Sequence, residues 1–279
     1  MVATVNYNAL GFKDILVTLH GPVLIITINR PEQKNTFGGV IHEDLIQAFE
    51  TADQDDRVRA VILTADTTAF AYCPGRDTET GIEHIAVPAP DAEVAHRDEG
   101  GQVAIAIYNC RKLTIAAING HAIGVGATGL QLPFDFRFIW EGAKVGFPFV
   151  RLGISPESAS TYLLPRLIGL SRANSLLMTG ATVKPTSPSY FALDVAKYTP
   201  QLSVTYTKAL LRHPGESIEE SHLRDSRSIK LLGIGHDATE HNIAFRERRD
   251  PNFTDSITKD LSLWYPWWRA PDVRYKTKL

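Results

Sequence analysis

Twice in this chain an apolar strand runs straight into a glycine turn. Arg59 to Thr64 leads into Ala69-Phe70-Ala71-Tyr72-Cys73-Pro74-Gly75-Arg76-Asp77. Thr114 to Ile118 leads into Asn119-Gly120-His121-Ala122-Ile123-Gly124-Val125-Gly126-Ala127-Thr128-Gly129, read as a turn and an apolar helix. Glycine lets a backbone turn sharply and approach a ligand closely. The amides at a helix start are unpaired donors with a positive dipole end behind them. Two such N–H groups from two turns, aimed at one point, make an oxyanion hole. Either turn alone is more often structural, so the reading depends on what else the pair is spaced with.

That partner is an acid in the run Gly146-Phe147-Pro148-Phe149-Val150-Arg151-Leu152-Gly153-Ile154-Ser155-Pro156-Glu157. Ser155 is a helix N-cap residue type and Pro156 suits the first helical position, which predicts a helix over 156–168 with Glu157 in its first turn. A carboxylate in a mostly apolar pocket can shuttle protons. Its plain alternative is an acid that only complements the helix dipole.

The remaining pattern is mixed α/β. Strands are expected at Ile15–His20, Val23–Asn29, Ala60–Thr64, Thr114–Ile118 and Phe136–Trp140, the first two as a hairpin around Gly21-Pro22. Helices are expected at Gly39–Gln54, Ala92–Cys110, Gly124–Leu132, Pro156–Ile168 and Arg172–Met178, and residues 203–249 read as helices only. Two cysteines without metal spacing suggest a reducing compartment, and the nine histidines form no ligand-spaced pair, so no metal is expected. A net charge of −2 gives no field that favours nucleic acid or acidic membranes. The apolar stretch 115–134 contains Asn119, His121 and Gln131, so a buried turn and helix fits it better than a membrane span. His121 reads as a structural or ligand-edge contact rather than a catalyst, and Cys73 as an ordinary thiol.

At these residues the chain resembles the crotonase (enoyl-CoA hydratase/isomerase) superfamily. Asn29-Arg30-Pro31-Glu32-Gln33-Lys34-Asn35-Thr36, Leu177-Met178-Thr179-Gly180 and Phe245-Arg246-Glu247-Arg248-Arg249-Asp250-Pro251-Asn252-Phe253 carry the resemblance further, over roughly residues 12–270. It implies a crotonase-like spiral of ββα units, here 1–202, with a C-terminal helical trimerisation region, 203–279. Hydratases of the superfamily use two glutamates. Those positions fall here on Thr128 or Gly129, in a helix one residue longer than usual, and on Phe149. Glu157 instead stands where the peroxisomal type of Δ3,Δ2-enoyl-CoA isomerase has its single catalytic glutamate.

The resemblance therefore implies isomerisation of a 3-enoyl-CoA to the 2-enoyl isomer, with Glu157 as the base and the amides of Arg76 and Val125 as the oxyanion hole. It assigns the substrate and its CoA to Lys34, Asn35, Thr36, Gly75, Asp77, Gly124, Phe149, Phe245 and Arg248, the last two from this or a neighbouring subunit, with Arg248-Arg249 facing phosphate. CoA is part of the substrate, and no separate cofactor is implied. The alternatives are another crotonase-type hydratase or tailoring enzyme, for instance in secondary-metabolite or toxin biosynthesis, and a non-catalytic acyl-CoA-binding relative. The segment 181–202 is about twenty residues short of the superfamily pattern. A homotrimer or a dimer of trimers is implied. The terminal Thr277-Lys278-Leu279 resembles the Ser-Lys-Leu address, so a peroxisomal import receptor and a peroxisomal location are expected, and a cytoplasmic one otherwise. The cluster Trp264-Tyr265-Pro266-Trp267-Trp268 reads as a packing anchor.

Overall fold

The computed structural model describes residues 5–77, 96–185, 200–256 and 259–268. Its first sheet runs in the order β1-β2-β3-β5-β7, formed by Ile15–His20, Val23–Ile28, Ala60–Ala65, Leu113–Ile118 and Phe136–Ile139. β1 and β2 form the expected antiparallel hairpin, and the other pairings are parallel. A second, smaller sheet has the order β4-β6-β8-β9, from Ala71–Cys73, His121–Ile123, Val145–Gly146 and Thr182–Val183.

The two sheets are built by one repeated step. β3, β5 and β7 each pass through a short turn into β4, β6 and β8, so the same order is kept in both sheets. β4, β6 and β8 are mutually parallel. Their carboxyl ends therefore open on the same side, which is where ligands collect in parallel α/β sheets. Gly75 follows β4, Gly124 follows β6, and Phe147 begins the run to Glu157 after β8. The second sheet has strands of two or three residues, too short for a period-2 pattern to reveal.

The helices are α1 (Ile41–Gln54), α2 (Glu99–Asn109), α3 (Ser160–Ile168), α4 (Leu170–Thr179), α5 (Gln201–Arg212), α6 (Ile218–Gly233) and α7 (His236–Glu247). The inward faces of β1, β2, β3 and β5 pack on α1 and α2 through Val17, Leu24, Ile26, Leu63, Leu45, Phe49, Val103 and Ile107. A second cluster joins Ala127, Phe147, Phe149, Ile154, Ala159 and Leu163 to the C-terminal helices through Leu211, Ile218, Ile229 and Ala238. The tail aromatics close on their own chain. Trp264 stacks with Tyr206, and Trp268 stacks on His213 at 3.9 Å.

All five expected helices differ in extent: Gly39–Gln54 is Ile41–Gln54 and Arg172–Met178 is Leu170–Thr179, and the other three differ more. The Ala92–Cys110 helix is α2, which begins at Glu99 because Asp98 caps it by accepting the Gly101 amide; 92–95 lie outside the described residues. The Pro156–Ile168 helix begins only at Ser160, because Ser158 and Ala159 have φ of 61° and 53°, outside the right-handed region. The Gly124–Leu132 helix is one 3₁₀ turn, Gly124–Gly126, followed by a run of turns. There the Leu130 amide reaches back five residues to the Val125 carbonyl. Such a π-type step absorbs one extra residue, and these steps concentrate at functional sites.

Gly126 shows how closely the strand ends approach: a Cβ there would lie 2.1 Å from the Cys73 carbonyl oxygen. Gly126→Ala is expected to cost about 1–3 kcal/mol or more, as overpacked backbone contacts do. Urea unfolding measures this, and a change below about 0.5 kcal/mol, the scatter of neutral surface substitutions, would contradict the packing.

Candidate active site

The two glycine turns lie against each other. Gly75 has φ of 113° and Gly124 of 56°, and a Cβ on Gly124 would come within 3.8 Å of the Gly75 Cα. Phe37 threads beside the first turn: its amide donates to the Gly75 carbonyl, and its own carbonyl accepts from the Asp77 amide. In the second turn the Ala127 and Thr128 amides both donate to the Gly124 carbonyl. Among the described residues, these turn bonds engage neither the Arg76 nor the Val125 amide. Those two amides lie on two apposed turns, the placement that a shared oxyanion hole requires.

Glu157 is brought to the same place by α2. A Cβ on Gly100 would lie 2.5 Å from Ser158 Oγ and 2.7 Å from Val125 Cγ2, so the residue after Glu157 and the second turn meet on one helical glycine. On the other side of Ser158 lies Gly129, where a Cβ would come 3.1 Å from the same hydroxyl. Ser158 thus occupies space beside the position where the superfamily's first glutamate would stand. Phe149, at the second such position, is buried in the 3₁₀ turn Pro148–Leu152. The whole stretch 153–161 is buried, and its two consecutive left-handed residues without glycine are strain of the kind that persists at functional sites.

Burial pushes the Glu157 carboxyl up to about 8, assisted by the charges of Asp98 and Glu99 and opposed by Arg76. Because Glu157 lies three residues ahead of Ser160, it is not in the first turn of α3, and the plain alternative, an acid that only complements that helix dipole, does not arise in that form. At the mouth, the Arg76 guanidinium pairs with Glu99 at 2.8 Å, with His42 Nδ1 3.9 Å from the same carboxylate. Burial drives the Cys73 thiol to about 12, so it is an inert core thiol. His121 makes structural contacts: its Nδ1 accepts the Lys144 amide, its ring stacks on Trp140, and Phe70 meets it edge-on.

The CoA segment is used in part for the fold. The Asn35 side chain is wholly buried; it accepts from the Arg30 amide and donates to the Asp66 and Ala71 carbonyls. Its side chain is spent on holding the turn, while Lys34 is exposed and Thr36 is partly buried beside it. Asp77 is partly buried beside Gly38, where a Cβ would touch its own at 3.2 Å. Phe245 and Arg248 are exposed at the end of α7. Arg249 is already taken: Glu240 and Glu247 both pair with it, at 2.5 and 2.7 Å.

Sequence reasoning missed Asp98, Glu99, Gly100 and Gly101. Their signal was legible, since a capping acid followed by two glycines inside a helix asks for a packing reason. It also missed His222, Asp225 and Ser226 on α6, which reach the same region. His236, Asp237 and Asp255 come within 4.8 Å of one another elsewhere, but Asp237 Oδ1 there accepts the Thr254 and Asp255 amides and caps a turn.

Residues 19–205 match the sequence model of the family described as enoyl-CoA hydratase/isomerase. The chain belongs to this family. Its crotonase fold is shared with an enoyl-CoA hydratase/isomerase from Pseudoalteromonas atlantica, at TM-score 0.67 and 27% identity over 87% of this chain and all of that one. The enoyl-CoA hydratase ACTT3 of Alternaria alternata is 36% identical over 92% of each chain. The 1,2-epoxyphenylacetyl-CoA isomerase of Escherichia coli is 28% identical over 86% of this chain and 98% of its own. The protein is thus an enzyme of the hydratase/isomerase class.

A neutral Glu157 in the folded protein holds a proton that the unfolded chain, with an ordinary carboxyl near 4.5, gives up. Between pH 4.5 and about 8 the folded state binds more protons, so this group's contribution to stability is full below 4.5 and is lost as pH rises through 8. The stability of wild type relative to Glu157→Gln should therefore decline across that window in urea titrations. A difference that stays flat with pH would show that Glu157 titrates normally.

Proposed function

We propose that this enzyme isomerises 3-enoyl-CoA thioesters to the conjugated 2-enoyl form, with Glu157 as its only acid/base. The observation that carries the reading is one buried, basic carboxyl beside two apposed glycine turns, with Phe149, Thr128 and Gly129 at the other acid positions. Moving the double bond removes a proton from C-2 and returns one at C-4. The two carbons are close and can present one face, so one carboxylate can serve both. The intermediate is a thioester dienolate, and the Arg76 and Val125 amides would hold its oxygen. Losing one such donor costs about 3 kcal/mol in other enzymes. A carboxyl tuned toward neutrality is matched to this work.

Hydration is the second reading. Asp98 and Glu99 favour it, because they place further carboxylates near Glu157, and hydration uses two. The Alternaria relatives at 34–36% identity carry hydratase names. Lys34, Thr36, Phe245 and Arg248 would meet CoA, the last two across a homotrimer of the family's kind. Thr277-Lys278-Leu279 lies outside the described residues, and a peroxisomal address there is part of the same proposal.

Incubation with 3-enoyl-CoA should yield conjugated 2-enoyl-CoA, with kcat/KM rising with pH through an apparent value near 8. Glu157→Gln should lose at least about a hundredfold, about 2.7 kcal/mol in barrier. Conversion of 2-enoyl-CoA to 3-hydroxyacyl-CoA without isomerisation would select hydration instead. Retention of activity by the Gln variant within about tenfold would remove Glu157 from the chemistry.

A further inference from the structure

Helices α1 and α2 cover one face of the five-stranded sheet and leave the other without a cover among the described residues. The pairing register sets which residues share that outer face. Its middle row runs Thr18, Ile25, Ile62, Ile115 and Phe136, from β1 across to β7. The next row begins at Leu16, Thr27 and Thr64 and continues on β5 and β7 with Ala117 and Phe138. Burial alternates with this register. The outer residues are exposed or half-buried, while Leu24, Ile26, Val61 and Leu63 between them are buried. No outer residue enters the apolar clusters of the described residues.

The residues on this face are not those of a wetted surface. Asp, Glu, Lys and Arg make up 22% of the chain, yet none stands at an outer position of the five strands. His20 lies at one corner, and the rest is aliphatic, aromatic or threonine. Phe136 and Phe138 are 53% and 65% exposed. The strands themselves call for a cover. β2, β3, β5 and β7 are mutually parallel, and β2 and β3 read Val-Leu-Ile-Ile-Thr-Ile and Ala-Val-Ile-Leu-Thr-Ala, without polar alternation. Parallel strands with such continuous apolar runs are found with both faces covered.

We propose that a second copy of this chain covers this face, the two five-stranded sheets packing face to face about a two-fold axis. A two-fold axis lays a surface against itself, so the same patch must serve both sides. A charged patch then risks bringing like charges together, and a patch without charge does not. A partner of different sequence is ordinarily steered and selected by complementary charge, and the outer positions of the strands offer no Asp, Glu, Lys or Arg for that. The side chains suit a facing sheet as well. Isoleucine and threonine are stiff at χ1, and the inner faces of two packed sheets interdigitate about 10 Å apart.

The extent of the face is sufficient for a stable pair. Strands about 4.8 Å apart, rising about 3.3 Å per residue, give five strands of up to six residues a projected face of about 500 Å². Standing side chains make the accessible surface larger than the projection. Trp140, the next outer position after Phe138, extends it further. Its amide continues the ladder by donating to the Ile118 carbonyl, and its ring lies 6.4 Å from that of the exposed Phe70. Together these reach the order of the about 800 Å² that each partner of a standard interface covers. Exposed apolar patches beyond a few hundred Å² mark interaction sites rather than ordinary surface.

The experiment measures the mass of the full chain by light scattering at micromolar concentration, in wild type and in the double variant Phe136→Glu with Phe138→Glu. Both phenylalanines are exposed in the subunit, so glutamates there leave its core intact. Wild type is expected to contain an even number of subunits, whatever contacts the C-terminal helices make, and the double variant to have half that mass. A wild type of one or three subunits overturns the proposal, whether or not it binds phosphatidylcholine vesicles through this face. A folded double variant of wild-type mass also overturns it. Should the double variant fail to fold, hydroxyl-radical labelling of wild type decides. Leu113, Phe136 and Phe138 should be protected in a protein of even subunit number, and labelling at the level of the urea-unfolded chain overturns the proposal.

Discussion

At Gly126 the backbone of one turn lies where any side chain would strike the Cys73 carbonyl, 2.1 Å away. The site depends on that approach. It presses the end of β6 onto the end of β4, which puts Gly75 beside Gly124 and leaves the Arg76 and Val125 amides on neighbouring turns. Because β8 is parallel to β6, the chain leaving it arrives at the same end, and Glu157 comes with it. The chemistry therefore rests on three strands of two or three residues each, held by the longer sheet beneath them.

Much of this was legible from the residues. The long strands announce themselves by apolar pattern, and their observed limits differ from the expected ones by one residue at most. The glycine turns follow from strands that end in glycine, and Glu157 from its apolar approach. Its exact setting was not legible. Ser158 and Ala159 are left-handed although neither is a glycine or asparagine, so no local signal warns that the helix must wait until Ser160. The extra residue after Gly124 was visible as a long helix. Its accommodation, through the bond from Leu130 to Val125, was not. The roles of His222, Asp225 and Ser226 depend on contacts such as that of Ser226 with Asp98, 128 residues away, which no spacing rule reaches.

The electrostatics of the site divide its acids. Against burial, the facing His222 and hydrogen bonds hold Asp98 at about 2, burial pushes Asp225 well above the usual carboxylate range, and burial raises Glu157 to about 8. Environments that push like groups apart in this way mark acid/base assignments in enzymes. Thr128, Gly129 and Phe149 leave no carboxylate at the other acid positions, and moving one proton from C-2 to C-4 asks for only one acid/base, whereas hydration must also orient and activate a water.

The most direct measurement is the fate of the proton that Glu157 removes. A 3-enoyl-CoA carrying deuterium at C-2 would be converted in ordinary water in a single turnover, and the product analysed for label at C-4. One buried carboxyl serving both carbons predicts conjugated 2-enoyl-CoA in which a measurable share of the deuterium has moved from C-2 to C-4. Conjugated product with no deuterium at C-4, the label removed from C-2 having gone to water, or a hydroxylated product in its place, would contradict the account.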